Sequence, residues 1–247
     1  MIRHKVTSKN KKILVIPDVH YQFGEVRRIL SKEYDYDRVV FLGDFFDFWG
    51  DNEEDTQRCC FAFQNLFLEL EEKKKKFNIL WGNHDLSYAW GYRNEYSICP
   101  GWNHRKSEAS RQCMSQKDWN RFQWYLFIDD DILLTHAGLT NEFLKDGLNN
   151  NDIESLLRLE ARKAERSLLK NKFHWFYGSI DNIGGILWNR PNMHKFKFSK
   201  IKGLRQIFGH TYQGIFSWCE DENYCIDTAL KHYALINNGN IEIKQNV

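Results

Sequence analysis

Short apolar runs recur along this chain, and each is followed at once by a cluster of polar residues. Five of them are four residues long or shorter and consist mainly of Ile, Val, Leu and Phe: residues 13–16, 39–42, 79–81, 132–134 and 207–208. Runs of this length and composition are typical of buried β-strands and too short for most helices. Three later runs are further strand candidates: residues 224–226, 233–236 and 241–243.

Helical patterns lie between these runs. Residues 152–170 predict an amphipathic helix, because apolar side chains recur there at three- and four-residue spacing: Ile153, Leu156, Leu157, Ala161, Ala164 and Leu168. A second helix is predicted before the lysine run 73–76, which we expect to form its solvated carboxyl end. Strands that alternate with helices predict an α/β fold.

The polar clusters after the five predicted strands contain aspartate, asparagine and histidine. In chain order they are Asp18 with His20, Asp44 with Asp47, Asn83 with His84 and Asp85, then His136, then His210. Ligand sites of open α/β sheets lie at the carboxyl ends of the strands, so we expect these side chains to meet in one cleft. A glycine occurs in three of the turns, where the backbone must bend tightly: Gly43, Gly82 and Gly209.

The residue types in these clusters indicate the ligand. Carboxylate, imidazole and amide groups without thiolate suit Mn²⁺, iron or Zn²⁺ rather than a soft metal. Two such ions close together attract a phosphate and lower the pKa of a bound water. Any one of the motifs alone is weak, since a single histidine such as His136 or His210 is more often a structural residue. All five, each after a predicted strand, predict a two-metal phosphoesterase.

Composition restricts the remaining possibilities. The chain has 247 residues, of which 42% are hydrophobic and 28% charged, with a net charge of +2. This length predicts a single domain over residues 1–247 with one core. The aromatic content and low net charge exclude a disordered chain, and they disfavour a protein whose main task is to coat nucleic acid. No apolar stretch is long enough for a signal peptide or a membrane span, so we expect a cytoplasmic protein without a membrane partner.

Two stretches are predicted to be insertions on this scaffold, at about residues 90–125 and 141–177. The first is rich in tryptophan and tyrosine, and we interpret it either as a lid or wall over the site or as ordinary packed surface. The six cysteines form no CxxC pair and are expected to be reduced thiols, with a zinc site as the less favoured alternative.

Together the motifs resemble the calcineurin-like metallophosphoesterase superfamily over roughly residues 13–230. They read Asp18-x-His20, Gly43-Asp44-x-x-Asp47, Gly82-Asn83-His84-Asp85, His136-Ala137-Gly138 and Gly209-His210-Thr211. Phe208 to Thr211 followed by Ile226-Asp227-Thr228 is similar to the bacterial and phage serine/threonine phosphoprotein phosphatases and diadenosine tetraphosphatases. Leu187-Trp188-Asn189-Arg190 also resembles the phosphate-binding arginine motif of that branch. The resemblance implies an α/β fold of four layers, an αββα sandwich with the site at one edge.

The resemblance also implies a division of the metal ligands between two ions. Asp18 and His20 would bind the first ion, and Asp44 would bridge both. The remaining ligands of the second ion would be Asn83, His136 and His210.

Three further residues acquire catalytic roles from the resemblance. His84 would be the general acid near the leaving oxygen, and Asp47 would orient it and support its charge. Arg190 would hold the non-bridging phosphate oxygens, while Asp227 would stand behind the metal ligands.

One position departs from the phosphoprotein phosphatase pattern. Those enzymes have an arginine directly after the second aspartate of the G-D-x-x-D motif, and here Phe48 stands in that place. A phosphate-binding guanidinium is therefore missing, and Arg93, Arg105 or a lysine is a candidate substitute. Tyr212 after the G-H-T motif favours the phosphatase branch over diesterases, which carry a histidine there.

Three functions follow from these observations. The first is a phosphatase acting on phosphoprotein monoesters or dinucleoside polyphosphates, and the second is a phosphodiesterase or nuclease. The third is a non-catalytic scaffold of the same fold. The stretch from Arg190 to Arg205 carries six basic residues and no acidic ones, so it is either a solvated face or a docking surface for a polyanion such as RNA.

Overall fold

The computed structural model describes residues 4–140, 150–182, 184–190, 203–214, 218–220 and 222–247. Within these ranges two six-stranded sheets are present, with strands numbered in chain order. The first sheet contains, in spatial order, β12 (Asn240–Gln245), β11 (His232–Asn237), β2 (Lys12–Ile16), β3 (Arg38–Phe41), β4 (Lys76–Leu80) and β5 (Phe122–Gln123). The second contains β1 (Lys5–Val6), β6 (Leu126–Ile128), β7 (Ile132–Leu134), β8 (Arg205–Phe208), β10 (Asn223–Cys225) and β9 (Trp218–Glu220).

The strands that lead to the site are parallel to their neighbours. β2, β3 and β4 run parallel in the first sheet, and β7 and β8 run parallel in the second. Their carboxyl ends therefore meet at the same edge of each sheet. The five strands predicted from the apolar runs are confirmed, with ends within three residues of the prediction.

The two sheets pack face to face through alternating side chains. Ile13 and Val15 of β2 join one apolar cluster with Leu126 and Ile128 of the opposite sheet. The intervening Leu14 belongs to a second cluster that includes the helices. Successive side chains of a strand point to opposite faces, so β2 is buried on both faces and has a continuous apolar sequence.

Helices cover the outer faces and complete the helix–sheet–sheet–helix order. They are α1 (Phe23–Lys32), α2 (Glu53–Glu72), α3 (Asn83–Trp90), α4 (His104–Cys113), α5 (Gln116–Trp119), α6 (Asn150–Leu169) and α7 (Gly185–Trp188), with a 3₁₀ turn at Glu95–Ser97. The predicted helix 152–170 corresponds to α6, whose Ile153, Leu157 and Leu168 are buried as its periodicity predicts. No helix in the described ranges is both long and apolar enough to cross a bilayer.

The lysine run 73–76 differs from its prediction. Helix α2 starts at an Asn52 cap, whose side chain accepts from the backbone of Glu54 and Asp55, and ends at Glu72. Lys73 is the carboxyl cap of α2, but Lys76 already belongs to β4. Only the first lysine of the run therefore lies at the end of the helix, because the chain turns after it and enters the next strand at Lys76.

The aromatic stretch 90–125 contributes both core and wall. Trp119, Trp124 and Tyr125 are buried in the core, so they are packed residues rather than parts of a lid. The middle of the stretch, from Cys99 to Lys106, instead contacts Asp47 of the predicted site. Among the described side chains, five cysteines are free thiols: Cys59, Cys60, Cys99, Cys113 and Cys225.

A phenylalanine cluster joins α2 to the first sheet and should dominate its stability. The Phe63 ring lies 5.0 Å from that of Phe45 and 4.6 Å from that of Phe67, and its side chain is fully buried. Phe63→Ala is expected to lower the free energy of unfolding by about 3–5 kcal/mol, since it leaves a cavity. Phe61→Ala, on the exposed face of the same helix, should change it by less than about 0.5 kcal/mol. Equal effects in urea unfolding would contradict this packing.

Candidate metal centre

The carboxyl ends of β2, β3, β4, β7 and β8 bring all six predicted metal ligands together. One group of ligand atoms that lie within 4.8 Å of one another comes from Asp18, His20 and Asp44. A second group, with the same spacing, comes from Asp44, His136 and His210. Asp44 belongs to both groups. The geometry is therefore that of two adjacent sites that share one carboxylate.

Unusual backbone conformations place these side chains. Positive φ angles are uncommon outside glycine, and here they occur at His20 (37°), Asp44 (49°), Asp47 (67°) and His210 (68°). Such strain is kept where the surrounding structure demands it, and it concentrates at functional sites. These turns direct the side chains inward instead of continuing the strands.

Two of the predicted turn glycines are required by close approach. A Cβ on Gly82 would lie 2.1 Å from Asp44 Oδ1, and one on Gly209 would lie 1.9 Å from Asp18 Oδ1. Either contact would displace one of these two carboxylates. The glycines thus let neighbouring loops pack directly against the side chains of two proposed ligands.

Backbone carbonyls fix the orientation of two of the proposed histidine ligands. His20 Nδ1 lies 2.8 Å from the carbonyl oxygen of Asp47, and His136 Nδ1 lies 2.9 Å from that of Leu42. A carbonyl can only accept, so Nδ1 carries the proton in each ring and donates it. The lone pair of the neutral ring is then on Nε2, which faces Asp44 Oδ2 at 3.7 Å in His20 and 3.4 Å in His136.

The second group has the donor chemistry that a cation requires. Asn83 Oδ1 lies 2.9 Å from both His136 Nε2 and His210 Nδ1, and these two nitrogens are 3.2 Å apart. His210 Nε2 is buried and without a hydrogen-bond partner among the described residues. Lone pairs that converge in this way repel one another unless a proton or a metal ion lies between them.

The charges of the site also fit metal ions. Burial and the nearby Asp227 and Asp44 carboxylates raise the pKa of Asp18 well above its usual range. Burial lowers the pKa of His136, but the Asp44 and Asp18 carboxylates outweigh it and raise the pKa to about 9. Burial thus favours the protonated form of Asp18, whereas the neighbouring histidines lower the pKa of Asp44 and the carboxylates favour the charged form of His136. Divalent ions would supply the positive charge that these groups otherwise obtain from protons.

Asp85 has a supporting role that the sequence does not reveal. Its Oδ2 accepts from Gly82 N at 3.1 Å and from Asp44 N at 2.7 Å, and its Oδ1 accepts from Phe45 N at 2.9 Å. One fully buried carboxylate therefore ties the loop after β3 to the loop after β4. Burial and Asp44 raise the pKa of Asp85 to about 7.

The predicted acid–carboxylate pair lies beside the metal-ligand groups. His84 Nδ1 is 2.7 Å from Asp47 Oδ2, and the His84 ring meets the His20 ring edge-on with centroids 5.2 Å apart. Burial opposes a charge on His84, but Cys99, Asp44 and Asp47 raise its pKa well above its usual range. Burial would likewise raise the pKa of Asp47, yet hydrogen bonds from His84, Lys106 and Tyr88 lower it to about 2. These shifts favour a charged imidazolium on His84 beside a charged carboxylate on Asp47.

The sequence of the chain decides its family. Residues 11–214 match the calcineurin-like phosphoesterase family, which covers most of the chain and both groups of ligands. The chain belongs to this family. Its members depend on a binuclear metal centre, and the chain is a metal-dependent phosphoric ester hydrolase rather than a scaffold.

Solved structures of phosphatases share the fold of this phosphoesterase. A cold-active protein-tyrosine phosphatase from a psychrophilic Shewanella species has a TM-score of 0.62 at 17% identity, covering 100% of this chain and 81% of that one. A protein serine/threonine phosphatase from Saccharomyces cerevisiae has a TM-score of 0.55 at 14% identity, covering 98% and 83%. At these identities the likeness shows a common fold alone. No curated protein sequence matches this chain significantly.

In a third group of potential ligand atoms, two side chains of the protein already contact the only carboxylate. The group comprises Asp47, His84 and Cys99. Lys106 Nζ lies 2.5 Å from Asp47 Oδ1, and His84 Nδ1, whose ring has a raised pKa, lies 2.7 Å from Oδ2 of the same carboxylate. A further ion there would be repelled by both cations, so we attribute this group to the acid–carboxylate pair.

Arg190, the predicted phosphate-binding residue, lies close to the second group of ligand atoms. Arg190 is half-buried at the end of the described segment 184–190, and its charge helps to lower the pKa of His210, after burial and His136. It therefore lies near the second ligand group. Residues 191–202 of the basic stretch lie outside the described residues. Arg205 is engaged elsewhere, with its guanidinium 2.6 Å from Asp131.

Phe48, which stands where phosphoprotein phosphatases have an arginine, has an exposed side chain. Phe48 is 60% exposed, directly beside Asp47. Two candidate substitutes for the missing arginine contact other side chains. The exposed Arg105 has Nη1 3.8 Å from Glu53 Oε1, and the guanidinium of Arg93 stacks over the Tyr92 ring. Lys106 is close to the site but is held by Asp47 and Asp51.

Proposed function

We propose that this phosphoesterase hydrolyses phosphate monoesters, such as phosphoserine or phosphothreonine in proteins, or dinucleoside polyphosphates. The observation that carries the proposal is the Asp44 carboxylate, shared between two groups of ligand atoms and placed beside the His84–Asp47 pair. Two ions on one bridging carboxylate suit an in-line displacement at phosphorus, and a protonated histidine beside them suits an ester with a poor leaving group.

The residues that would hold the ions follow from the two groups. Asp18, His20 and Asp44 would hold one ion, and the other would be held by Asp44, Asn83, His136 and His210. Mn²⁺ is the proposed metal, while iron and Zn²⁺ fit the same oxygen and nitrogen donors. Ions held there would supply positive charge for the phosphoryl oxygens and would lower the pKa of the attacking water.

His84 and Arg190 would act on opposite parts of the substrate. The attacking water would lose a proton to the solvent, and as its oxygen bonds to phosphorus the bond from phosphorus to the leaving oxygen would break. That oxygen takes the proton of His84 Nε2, because Nδ1 is committed to Asp47 at 2.7 Å. Asp47 stabilises the charged ring before the transfer. Arg190 would bind the non-bridging oxygens through its paired N–H groups.

A phosphodiesterase is the second candidate, and the exposed Phe48 favours it. A terminal phosphate monoester carries up to two negative charges and a diester only one, so a site with one guanidinium fewer discriminates less against diesters. A nucleic-acid partner through the basic stretch remains a prediction, since most of that stretch lies outside the described residues.

A substrate panel with Mn²⁺ tests these alternatives. It comprises p-nitrophenyl phosphate, bis-p-nitrophenyl phosphate, a phosphoserine peptide, diadenosine tetraphosphate and single-stranded RNA. We expect hydrolysis of the first substrate and of the peptide or the tetraphosphate. Cleavage of RNA and the diester without any monoester or tetraphosphate hydrolysis would replace the proposed function by the second candidate.

Substitution of Phe48 by arginine should change the preference between esters. The side chain is mostly solvated, so Phe48→Arg should fit without loss of the fold. A charge-assisted contact contributes about 1.5–3 kcal/mol, which corresponds to a shift of about ten- to a hundredfold in kcat/KM towards monoesters. The measurement is the ratio for p-nitrophenyl and bis-p-nitrophenyl phosphate, with Phe48→Met as the uncharged control. An unchanged ratio with intact fold and metal content would mean that position 48 does not contact the phosphate.

A further inference from the structure

Lys106 is a buried lysine whose ammonium group lies between two carboxylates next to the proposed acid. The residue is 1% exposed, and Nζ lies 2.5 Å from Asp47 Oδ1, 2.5 Å from Asp51 Oδ1 and 2.8 Å from the carbonyl oxygen of Gly101. An ammonium group has three N–H donors, and these three acceptors use all of them. Lys106 therefore has no donor left for a substrate phosphate and does not replace the missing arginine.

The two carboxylates stand at the ends of one turn. Asp51 N donates to the carbonyl oxygen of Phe48 at 3.1 Å, and Gly50 between them has a φ of 86°, which favours glycine. Lys106 joins Asp47 on one side of this turn to Asp51 on the other. Tyr21 Oη donates to the second oxygen of Asp51 at 2.6 Å, so that end is fixed from both sides.

The same contacts decide which oxygen of Asp47 faces His84. Asp47 Oδ1 accepts from Lys106 Nζ and from Tyr88 Oη, the latter at 2.6 Å. Oδ2 is thereby left for His84 Nδ1 at 2.7 Å and the Cys99 thiol at 3.4 Å. The carboxylate cannot rotate without breaking two charge-assisted bonds. The His84 ring is thus fixed at Nδ1, and it meets the ring of His20, a proposed metal ligand, edge-on with centroids 5.2 Å apart.

We propose that Lys106 is a positioning residue, which holds Asp47 so that His84 presents its Nε2 proton to the leaving oxygen. The proposal rests on the proposed function of His84. Stability alone does not account for a lysine here, because buried ion pairs are often no more stabilising than apolar residues of similar size. A displacement of about 1 Å in a catalytic group can cost about 100-fold in rate, so exact placement has a large effect.

Two variants separate positioning from folding. Lys106→Met removes the ammonium group and leaves the Asp51 carboxylate, whose side chain is 5% exposed, without its cationic partner and with only the Tyr21 hydroxyl as a donor among the described residues, which destabilises the fold. Lys106→Met with Asp51→Asn removes both charges, so this pair of substitutions should fold while Asp47 still lacks its lysine. Lys75→Met is the matched control, because Lys75 Nζ is likewise held by protein oxygens, here the carbonyl oxygens of Tyr34 and Tyr36, and contacts neither Asp47 nor Asp51.

The leaving group and the presence of His84 give the kinetic readout. With a phosphoserine peptide or an alkyl phosphate, we expect the double variant to lower kcat by about 10- to 100-fold with little change in KM. With p-nitrophenyl phosphate, whose leaving group needs no proton, the loss should be below about threefold. In a His84→Asn background the same change should have no further effect, since Lys106 acts only through His84.

A readout without metal or substrate tests the geometry itself. In metal-free protein the hydrogen-bonded Nδ1–H of His84 should give a downfield proton resonance that is absent in His84→Asn. It should broaden or vanish in the double variant and persist in Lys75→Met. A retained resonance, or a kinetic loss that is equal for all leaving groups and additive with His84→Asn, would overturn the role of Lys106. A wild-type protein inactive on every ester would refute the proposed function instead, while the resonance would still report on Lys106.

Discussion

Asp44→Asn is expected to lower kcat/KM for every phosphate ester by about 1,000-fold or more. Asp44 is the carboxylate common to both ligand groups, and its Oδ2 faces His20 Nε2 and His136 Nε2. The amide NH₂ of asparagine in that place would donate to those ring nitrogens and cover their lone pairs. The charge stabilisation that metal ions give a transition state is worth several kcal/mol, and each 1.36 kcal/mol corresponds to about tenfold in rate.

Metal content distinguishes a lost ion from a damaged fold. Asp44→Asn should bind less Mn²⁺ than the wild type at equal concentration while it unfolds cooperatively. Asp35→Asn is the control, since Asp35 pairs with Lys12 at an exposed position and should retain full activity. Wild-type activity in Asp44→Asn would show that this carboxylate is not shared by two ions.

His84→Asn is expected to lower kcat by about 10²–10⁴-fold on esters with poor leaving groups, the usual contribution of general acid catalysis. The substitution removes the proton donor but none of the six proposed ligands, so metal content should remain. The loss should be smaller for p-nitrophenyl phosphate, whose leaving group is stable as an anion. His104→Asn, at an exposed position, should leave both rates unchanged.

The pattern of losses across leaving groups is the test of this role. Chelation removes activity on all esters alike, whereas His84→Asn should affect them in the order of their leaving-group pKa values. Metal loss in His84→Asn would indicate that the histidine is a ligand, and an equal loss on all esters would indicate that it is not the acid.

The strands, and the meeting of the proposed metal ligands at their ends, could be predicted because the information is local. A run such as 13–16 is apolar at every position, since β2 is buried on both faces, and Asp18 and His20 follow it directly. Parallel strands bring such strand ends to one edge whatever the rest of the chain does. The shared carboxylate then follows from the position of β3 between β2 and β4.

The strands that were missed depend on partners far along the chain. β1 is only Lys5–Val6 and exists because it pairs with β6 at Phe127 and Ile128. Nothing in its own composition predicts a strand, and its pairing residues are separated by more than a hundred positions. Helix α1 did carry a signal, since Phe23, Val26 and Ile29 recur at three-residue spacing and are buried.

The support of the acid–carboxylate pair was likewise hidden in the sequence. Lys106 is 59 positions away from Asp47 in the sequence and 55 away from Asp51. Nothing in the sequence around either aspartate indicates that this lysine is its partner. One feature could have drawn notice. Lys106, Ala109 and Ser110 fall on one face of α4 and are buried, so the lysine interrupts a stripe of small side chains that faces the protein interior.

Metal stoichiometry against activity tests the two-metal centre most directly. Metal-free protein would be titrated with Mn²⁺ while bound metal, by elemental analysis, and hydrolysis of p-nitrophenyl phosphate are followed in the same samples. We expect activity to be absent without metal and to reach its maximum as the second ion binds, with two per chain at saturation. Full activity at one ion per chain or fewer would contradict a reaction between two ions bridged by Asp44.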